Sequence, residues 1–305
     1  MLWLWRTLPG LLKMSASRWS SHNAPRLGAA LAYYTLLSMA PLSILVVGIC
    51  SLIFTRKAAE AQILDRVREV AGSSSANTIQ MLLQNAHHRN GNIATVIAFI
   101  TLLFGASGVF VELRDSLNTI WEAPPPTISG WRSFVAQRLT SFVMVLALCI
   151  FLLVSLLLSA GAAVLQKFFS DMVPVHVSIL SQTANALFTL LAFSILFGLI
   201  FKFVPNVPIR WSEVAVGSIF TALLFTGGKA LLALYFTTTA VGSTYGAAGS
   251  LVALVAWVYY SAQIFFFGAI FTRVYADHFG SPTAKKERKT VRAAVAQEPS
   301  SAAGA

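Results

Sequence analysis

Charged residues are scarce in this sequence. They make up 11% of its 305 residues, whereas a soluble domain usually carries about 25%. The few charges cluster between long stretches that contain none. A bilayer imposes that pattern, because a charge at mid-membrane is costly. No segment outside those stretches is large enough to form its own core, so the composition excludes a soluble enzyme.

Motifs for catalysis and metal binding are also missing. The two cysteines, Cys50 and Cys149, stand inside apolar runs, so neither indicates a disulfide framework or a metal site. The five histidines form no HxH or HxxxH pair with a nearby carboxylate, which leaves a zinc site unsupported. The absence of a GxSxG elbow and of a GxxxxGK[ST] loop excludes the common hydrolase and ATP-driven classes. We therefore expect no cofactor, no metal and no catalytic residue.

Long apolar runs are what the sequence has instead. Hydrophobic residues make up 56% of the chain, and its mean hydropathy is +0.72. A transmembrane helix needs about 20 apolar residues. Six segments meet this need: 27–54, 93–111, the stretch between 138 and 167, 179–201, 214–236 and a last one that ends near 271. The sequence thus predicts an all-α, polytopic membrane protein with six transmembrane helices.

The positive charges predict the orientation. With the N-terminus inside, fifteen Lys and Arg residues fall in inner segments and six in outer ones, as expected when cytoplasmic loops are enriched in these residues. This places both termini in the cytoplasm of a bacterial cell, with the chain in the inner membrane. The same enrichment accounts for the net charge of +11, so we expect no nucleic-acid partner.

The extramembrane segments divide the chain further. Residues 1–26 are expected to form a cytoplasmic interfacial amphipathic segment without a cleavable signal peptide, 27–280 the six-helix domain, and 281–305 a disordered basic cytoplasmic tail. Residues 55–90 carry two apolar stripes at helical spacing, which predicts an outer helical hairpin. The bilayer is the expected partner. The basic tail could attract anionic lipids, and the sequence leaves homo-oligomerisation open.

Lys229 is the one charge deep inside a predicted span. It lies eight residues before Thr237, and so about 12 Å from the outer end of its helix. An intramembrane ionisable group is a functional candidate, which could bind an anionic group of a substrate. The alternative is a lysine that reaches the outer interface with its ammonium. The preceding Gly227 and Gly228 would let another helix or a ligand come close.

Aromatic and polar side chains in the first and last spans could line a cavity with Lys229. Buried tyrosine hydroxyls need hydrogen-bond partners, and an amide nearby could supply one. The alternative is hydrogen bonding that only holds the helices together. The candidate cavity residues besides Lys229 are Tyr33, Tyr34, Tyr245, Tyr259, Tyr260 and Gln263.

Prolines and glycines mark candidate hinges. Pro41 in the first span and Pro205 after the fourth are expected at kinks or helix ends. Gly242 and Gly246 form a GxxxG motif, with Gly249 close by. This segment is either a notch for helix packing or an unwound piece that lines a cavity.

A candidate cytoplasmic polar cluster follows the second span. It comprises Glu112, Arg114, Asp115 and Asn118, which are expected to form a salt-bridged helix near the membrane. Trp121 closes the segment and is expected to anchor it at the interface. A role in binding a partner is the alternative.

Four stretches of the chain resemble the YihY/BrkB family of membrane proteins, once labelled ribonuclease BN-like. They are LGAALAYYTLLSMAPLSIL (27–45), GASGVFVELRDSLNTIW (105–121), FKFVPNVPIRW (201–211) and STYGAAGSLVALVAWVYYSAQIFFFGA (243–269). The resemblance implies six helices in the bacterial cytoplasmic membrane with both termini inside. This chain has Ile270 where the family often has an acidic residue, so no carboxylate role carries over to that position.

Two functions from different classes remain. The first is a transporter or exporter of a small or amphipathic solute, without ATP hydrolysis by this chain. The second is a non-transporting envelope scaffold or a lipid-interacting, virulence-associated factor. A nuclease or another intramembrane enzyme is not expected, since no nucleophile–base pair is visible.

Overall fold

Every regular element that the structure describes is an α-helix. The computed structural model describes residues 2–50, 55–87, 108–123, 150, 177–238 and 249–280. Its helices are α1 (Leu2–Ser21), α2 (Ala24–Cys50), α3 (Arg56–His87), α4 (residues 108–121), α5 (Val177–Phe203), α6 (Trp211–Thr238) and α7 (Gly249–Phe279). The predicted all-α class is confirmed for these residues.

Three of the described helices are long and apolar enough to cross a membrane. The corresponding segments are Ala186–Phe203, Trp211–Tyr235 and Gly249–Phe279, which match the predicted fourth, fifth and sixth spans. α6 ends at Thr238 and α7 begins at Gly249, in keeping with the break expected after residue 236. The predicted third span, most of the second and the tail 281–305 lie outside the described residues.

Helix α7 is the centre of the bundle. It packs against α1, α2, α3 and α6, and α5 packs against α6. Four phenylalanines from α5, α6 and α7 hold the middle of this core: the rings of Phe197 and Phe225 are 5.6 Å apart, and those of Phe201 and Phe265 are 5.2 Å apart. These edge-on and tilted contacts are favourable aromatic geometries, and they fix α5 against both α6 and α7.

Helices α6 and α7 approach closely through two matched pairs of small residues. Gly217 of α6 faces Thr272 of α7, and Gly268 of α7 faces Thr221 of α6. A Cβ atom on either glycine would lie within about 2 Å of the opposing threonine Oγ1. Each threonine hydroxyl donates to the carbonyl of the glycine four residues earlier in its own helix, at 2.7 Å. The two Gly-x-x-x-Thr segments thus form a notch of the kind that drives helix packing in membranes.

The N-terminal helix α1 uses its apolar face inside the protein. Leu11 is buried, and Leu8, Leu12 and Trp19 pack against the same core. Lys13 is exposed on the opposite side. The sequence predicted an amphipathic helix here, and the structure shows that the bundle itself covers its apolar stripe.

Helix α3 is interrupted at Gly72, where φ is 83° and ψ is 168°. A side chain strongly disfavours this conformation, so the position suits glycine. Ile63 and Val67, before the break, pack against Ile79 and Leu83, after it. An unbroken helix would separate residues 63 and 83 by about 30 Å. The chain therefore doubles back at the break, one residue before the Ser73–Ser75 segment at which the apolar stripes are interrupted.

One local expectation changes in the structure. Trp121 was expected at the membrane interface, but it is only 2% exposed and belongs to the hydrophobic core. It is buried because α4 ends against the bundle rather than beside it. Pro41 was expected at a kink or a helix end; α2 continues past it to Cys50, so the helix does not end there, and the kink stays a prediction.

Candidate functional site

Lys229 lies at a cavity between three helices. The cavity has a volume of about 170 Å³, and its described lining is Arg68, Glu69, Ala71, Gly72, Lys229, Ala230, Leu232, Ala233 and Trp257. Lys229 is six residues before Tyr235, where the candidate span ends, so its Cα lies about 9 Å from that end. The cavity is therefore placed near one end of α6, where α3 meets the span.

The other charges at the cavity already have partners. Arg68 Nη1 lies 2.6 Å from Asp65 Oδ1, and Glu69 Oε2 lies 2.9 Å from Arg66 Nη1, in both cases within α3. Among the ion pairs of the described residues, none involves Lys229. The ammonium of Lys229 is thus the charge at this cavity that a ligand can neutralise.

Tyr260 is the predicted candidate that lies next to Lys229. It packs across Gly228, where an added Cβ would lie 3.1 Å from Tyr260 Cε1 and 3.3 Å from its hydroxyl. Ile264 lies against the same glycine. Gly228 therefore lets α7 come close to α6 immediately before Lys229, as predicted for this glycine, whereas a Cβ at Gly227 would meet nothing within 4 Å.

Gln263 faces a different helix. Its Nε2 donates to the carbonyl of Pro25 at 3.5 Å, and it lies directly over Gly28 of α2. Its Oε1 is buried and has no hydrogen-bond partner within the described part of the chain. Gln263 therefore connects α7 to the start of α2 and does not line the described wall of the Lys229 cavity.

The remaining tyrosines are spread over the surface of the bundle. Tyr33, Tyr34 and Tyr259 are 60%, 39% and 37% exposed, and the rings of the first two form an edge-on pair at 5.7 Å. None of the three is part of the described lining of the Lys229 cavity. Tyr245, with Gly242 and Gly246, lies outside the described residues, and Gly249 is the buried first residue of α7.

The candidate cytoplasmic polar cluster holds the connection between α5 and α6. Arg114 Nη2 donates to Asn206 Oδ1 at 2.8 Å, and the Asn206 backbone N–H donates to Asn118 Oδ1 at 2.8 Å. Pro205, beside Asn206, is buried in the bend that follows α5. The side chains of α4 thus fix this bend through long-range hydrogen bonds.

The two carboxyl groups of this cluster are shifted towards their neutral forms. Burial raises the pKa of Glu112 above its ordinary value of 4.5; a hydrogen bond from Ser116 opposes the shift, and the charge of Asp115 adds to it. Burial also raises the pKa of Asp115, against the lowering effect of Arg114. Folding therefore takes up protons at these groups in mildly acidic solution.

Sequence reasoning missed a second cluster of charges, formed around Arg273 of α7. The Arg273 side chain is 3% exposed, and its Nη2 lies 2.6 Å from Glu122 Oε1. Its Nη1 donates to the carbonyl of Ile120 and lies 3.2 Å from His22 Nε2. Three segments of the chain meet here, residues 18–22, 120–122 and 273–277, because Asp277, 3.9 Å from Arg273 Nε, also binds Arg18 of α1 at 2.7 Å.

No local sequence pattern predicts this cluster. Arg273 follows the predicted sixth span directly, so the sequence indicates only an ordinary topology-determining charge, while Glu122 and His22 stand in separate connections. Only the fold brings them together. Of the residues with described positions, no group of three or more His, Cys, Asp or Glu could hold a metal ion.

Apolar helices of spanning length that pack through small residues define an integral membrane protein. Lys229, which has no ion-pair partner among the described residues, lies at a partly open cavity between three of its helices. The family model described as virulence factor BrkB matches residues 15–293. The chain therefore belongs to the BrkB family, as the four sequence stretches indicated.

Curated relatives agree with this assignment. The ribonuclease-like protein YfkH of Bacillus subtilis is 26% identical over 84% of this chain and 92% of its own length. A UPF0761 membrane protein of Actinobacillus pleuropneumoniae is 23% identical over 87% of this chain and 92% of its own length. A UPF0761 membrane protein of Pseudomonas aeruginosa is 27% identical over 84% of this chain and 60% of its own length. No solved structure matches the chain.

Proposed function

We propose that this membrane protein transports a small or amphipathic solute, and that the cavity at Lys229 is its binding site. The observation that carries the proposal is an ammonium in a spanning helix that faces a cavity and has no described ion-pair partner. A charge in such a place is costly unless it is compensated. A solute that supplies the compensating charge would bind there.

The wall of the cavity supports a binding role rather than nuclease chemistry. Trp257 offers a flat aromatic surface, and Ala230, Leu232 and Ala233 leave room beside it. Ligand sites combine this kind of apolar lining with a few polar groups that fix orientation. We therefore assign no enzymatic activity to the chain.

The proposed arrangement in the membrane is that of an inner-membrane, multi-pass protein with six spans and both termini in the cytoplasm. The excess of Lys and Arg in alternate connections supports it. In this arrangement the two halves of α3 form an outer helical hairpin over the cavity, and the Arg273 cluster lies at the inner end of the bundle. The cavity would then be closer to the outer surface.

The first test compares cells that lack this protein with cells that produce it. Untargeted mass spectrometry of cell extracts and medium should reveal a solute whose distribution depends on the protein. Lys229→Met should abolish that dependence while the variant still accumulates in the membrane and purifies as a single species. Lys229→Arg, which keeps the charge, should retain part of the activity.

The envelope-scaffold alternative makes the opposite prediction. A scaffold acts through its surface, so Lys229→Met would leave its phenotype unchanged. An unaltered phenotype with well-folded Lys229→Met would therefore remove the transport proposal and favour a scaffold.

A further inference from the structure

The Lys229 cavity also limits what the solute can be, provided that the proposed transport function holds. Three properties of the cavity bear on this question: its volume, its net charge and the chemistry of its wall. Each follows from described residues, and together they point to one chemical class.

The volume sets the size of the solute. An apolar cavity of about 150 Å³ holds one benzene molecule, and this cavity has about 170 Å³. Sites for drug-sized ligands are larger, about 300–1,000 Å³. The cavity is partly open, and its volume therefore accommodates an apolar group of about one six-membered ring.

The charge balance at the cavity determines the sign and the number of charges on the solute. Arg68 and Glu69 are each paired within α3, so their contributions at the cavity largely cancel. Lys229 adds one positive charge without a described partner. One anionic group on the solute would neutralise it, and a charge-assisted contact of this kind is roughly twice as strong as a neutral hydrogen bond.

The side chains of the cavity wall determine the chemistry of the uncharged part of the solute. The Trp257 indole and the side chains of Leu232 and Ala233 form an apolar surface next to the ammonium. Aromatic rings gain from stacked or edge-on contact with an indole. A purely polar anion would leave this surface uncovered.

We infer that the cavity binds a small organic monoanion, an aromatic or cyclic carboxylate of about the size of benzoate, with its carboxylate at Lys229 and its ring against Trp257. A neutral molecule of the same shape would leave the ammonium without a partner, and a cationic one would be repelled.

Equilibrium binding of radiolabelled benzoate to the purified full-length protein in lipid nanodiscs tests this inference. At pH 7 benzoate is ionised, and binding should be saturable. Cyclohexanecarboxylate should compete with it, whereas benzyl alcohol and benzylamine, which keep the ring and lose the negative charge, should not. Competition by benzyl alcohol as strong as that by cyclohexanecarboxylate would overturn the assigned role of charge.

Variants of the cavity test separately the charge of Lys229 and the apolar space beside it. Lys229→Met should weaken benzoate binding about 10- to 100-fold, because a contact with a charged partner is lost, and Lys229→Arg should retain most of it. Ala233→Leu fills the cavity and keeps the charge, so binding should weaken about fivefold or more. Gly227→Ala, on the same helix but outside the cavity lining, is the matched control and should bind normally.

The results distinguish this inference from the proposed function. Saturable benzoate binding that requires Lys229, without movement of benzoate into or out of proteoliposomes, would keep the site and contradict transport. Transport of another solute by protein that does not bind benzoate would keep the function and overturn the solute class. Benzoate binding that is unchanged in well-folded Lys229→Met would overturn the site.

Discussion

The notch between α6 and α7 predicts that two Gly→Ala substitutions in α6, at Gly217 and at Gly227, differ strongly in their effect on stability. Gly217→Ala places a methyl group 1.8 Å from Thr272 Oγ1 and 2.6 Å from its Cβ. Ordinary contact begins at 3.4 Å, so the two helices must separate locally by about 1.6 Å. The same substitution at Gly227, ten residues further along α6, meets nothing within 4 Å.

The magnitude follows from two opposing effects. Alanine favours a helix over glycine by about 1 kcal/mol at both positions, so this effect cancels in the comparison. Overpacking of a tight contact costs about 1–3 kcal/mol and applies only at Gly217. Gly217→Ala should therefore be less stable than Gly227→Ala by about 1–3 kcal/mol.

Reversible unfolding in detergent micelles, followed by circular dichroism, measures this difference. A second substitution supplies the internal control: Thr272→Gly removes the atoms that the new methyl group meets, so the double variant should recover part of the loss. The coupling between the two substitutions should be about 0.5–3 kcal/mol. Equal stabilities of the two alanine variants, or strict additivity with Thr272→Gly, would refute the close packing of α6 and α7.

Three further predictions concern other parts of the molecule. Glu122→Gln removes the negative charge that compensates the buried Arg273. Because Glu122 is half exposed, we expect the free energy of unfolding to fall by about 1–2 kcal/mol, less than for a fully buried pair. Unchanged stability would contradict the ion pair. Glu112 has a raised pKa in the fold, so its contribution to stability is fully present below pH 4.5 and falls as the pH rises through the folded value. Glu112→Gln should therefore flatten the fall in melting temperature between pH 4 and pH 7. Parallel curves of melting temperature against pH for the two proteins would argue against the raised pKa. Gly72→Ala forces a side chain into a conformation that glycine favours and should cost about 1–3 kcal/mol, whereas Ser74→Ala, on the exposed side of α3, should change thermal stability little.

The helices of this protein were predictable because their signal is local. The apolar runs at 179–201 and 214–236 lie within helices that extend only a few residues further at each end. The break in α3 was also visible, since polar residues interrupt two stripes there. Burial of Trp121 could not be foreseen, because a tryptophan beside a span has the same local sequence whether it faces lipid headgroups or another helix.

The candidate site was predictable only in part. Lys229 stood out because charges are rare within spans, and its cavity could be hypothesised from the glycines before it. The wall formed by α3 and the Arg273 cluster depends on contacts between residues far apart in the chain, and no local pattern encodes such contacts. Sequence reasoning did not single out the Gly-x-x-x-Thr pair at 217–221 and 268–272, because its reciprocal register emerges only when the helices are antiparallel neighbours.

The packing of α1 against α7 also affects the order in which the protein assembles during synthesis. Arg18 and Asp277 are separated by 259 residues, and synthesis proceeds at about 5–20 residues per second, so the start of the chain waits roughly 10–50 s for its partner. During that interval the apolar side of α1, with Leu11 at its centre, has no α7 to rest on. The apolar side of α1 must therefore be covered in another way during synthesis, and α1 docks on α7 only after α7 has been made.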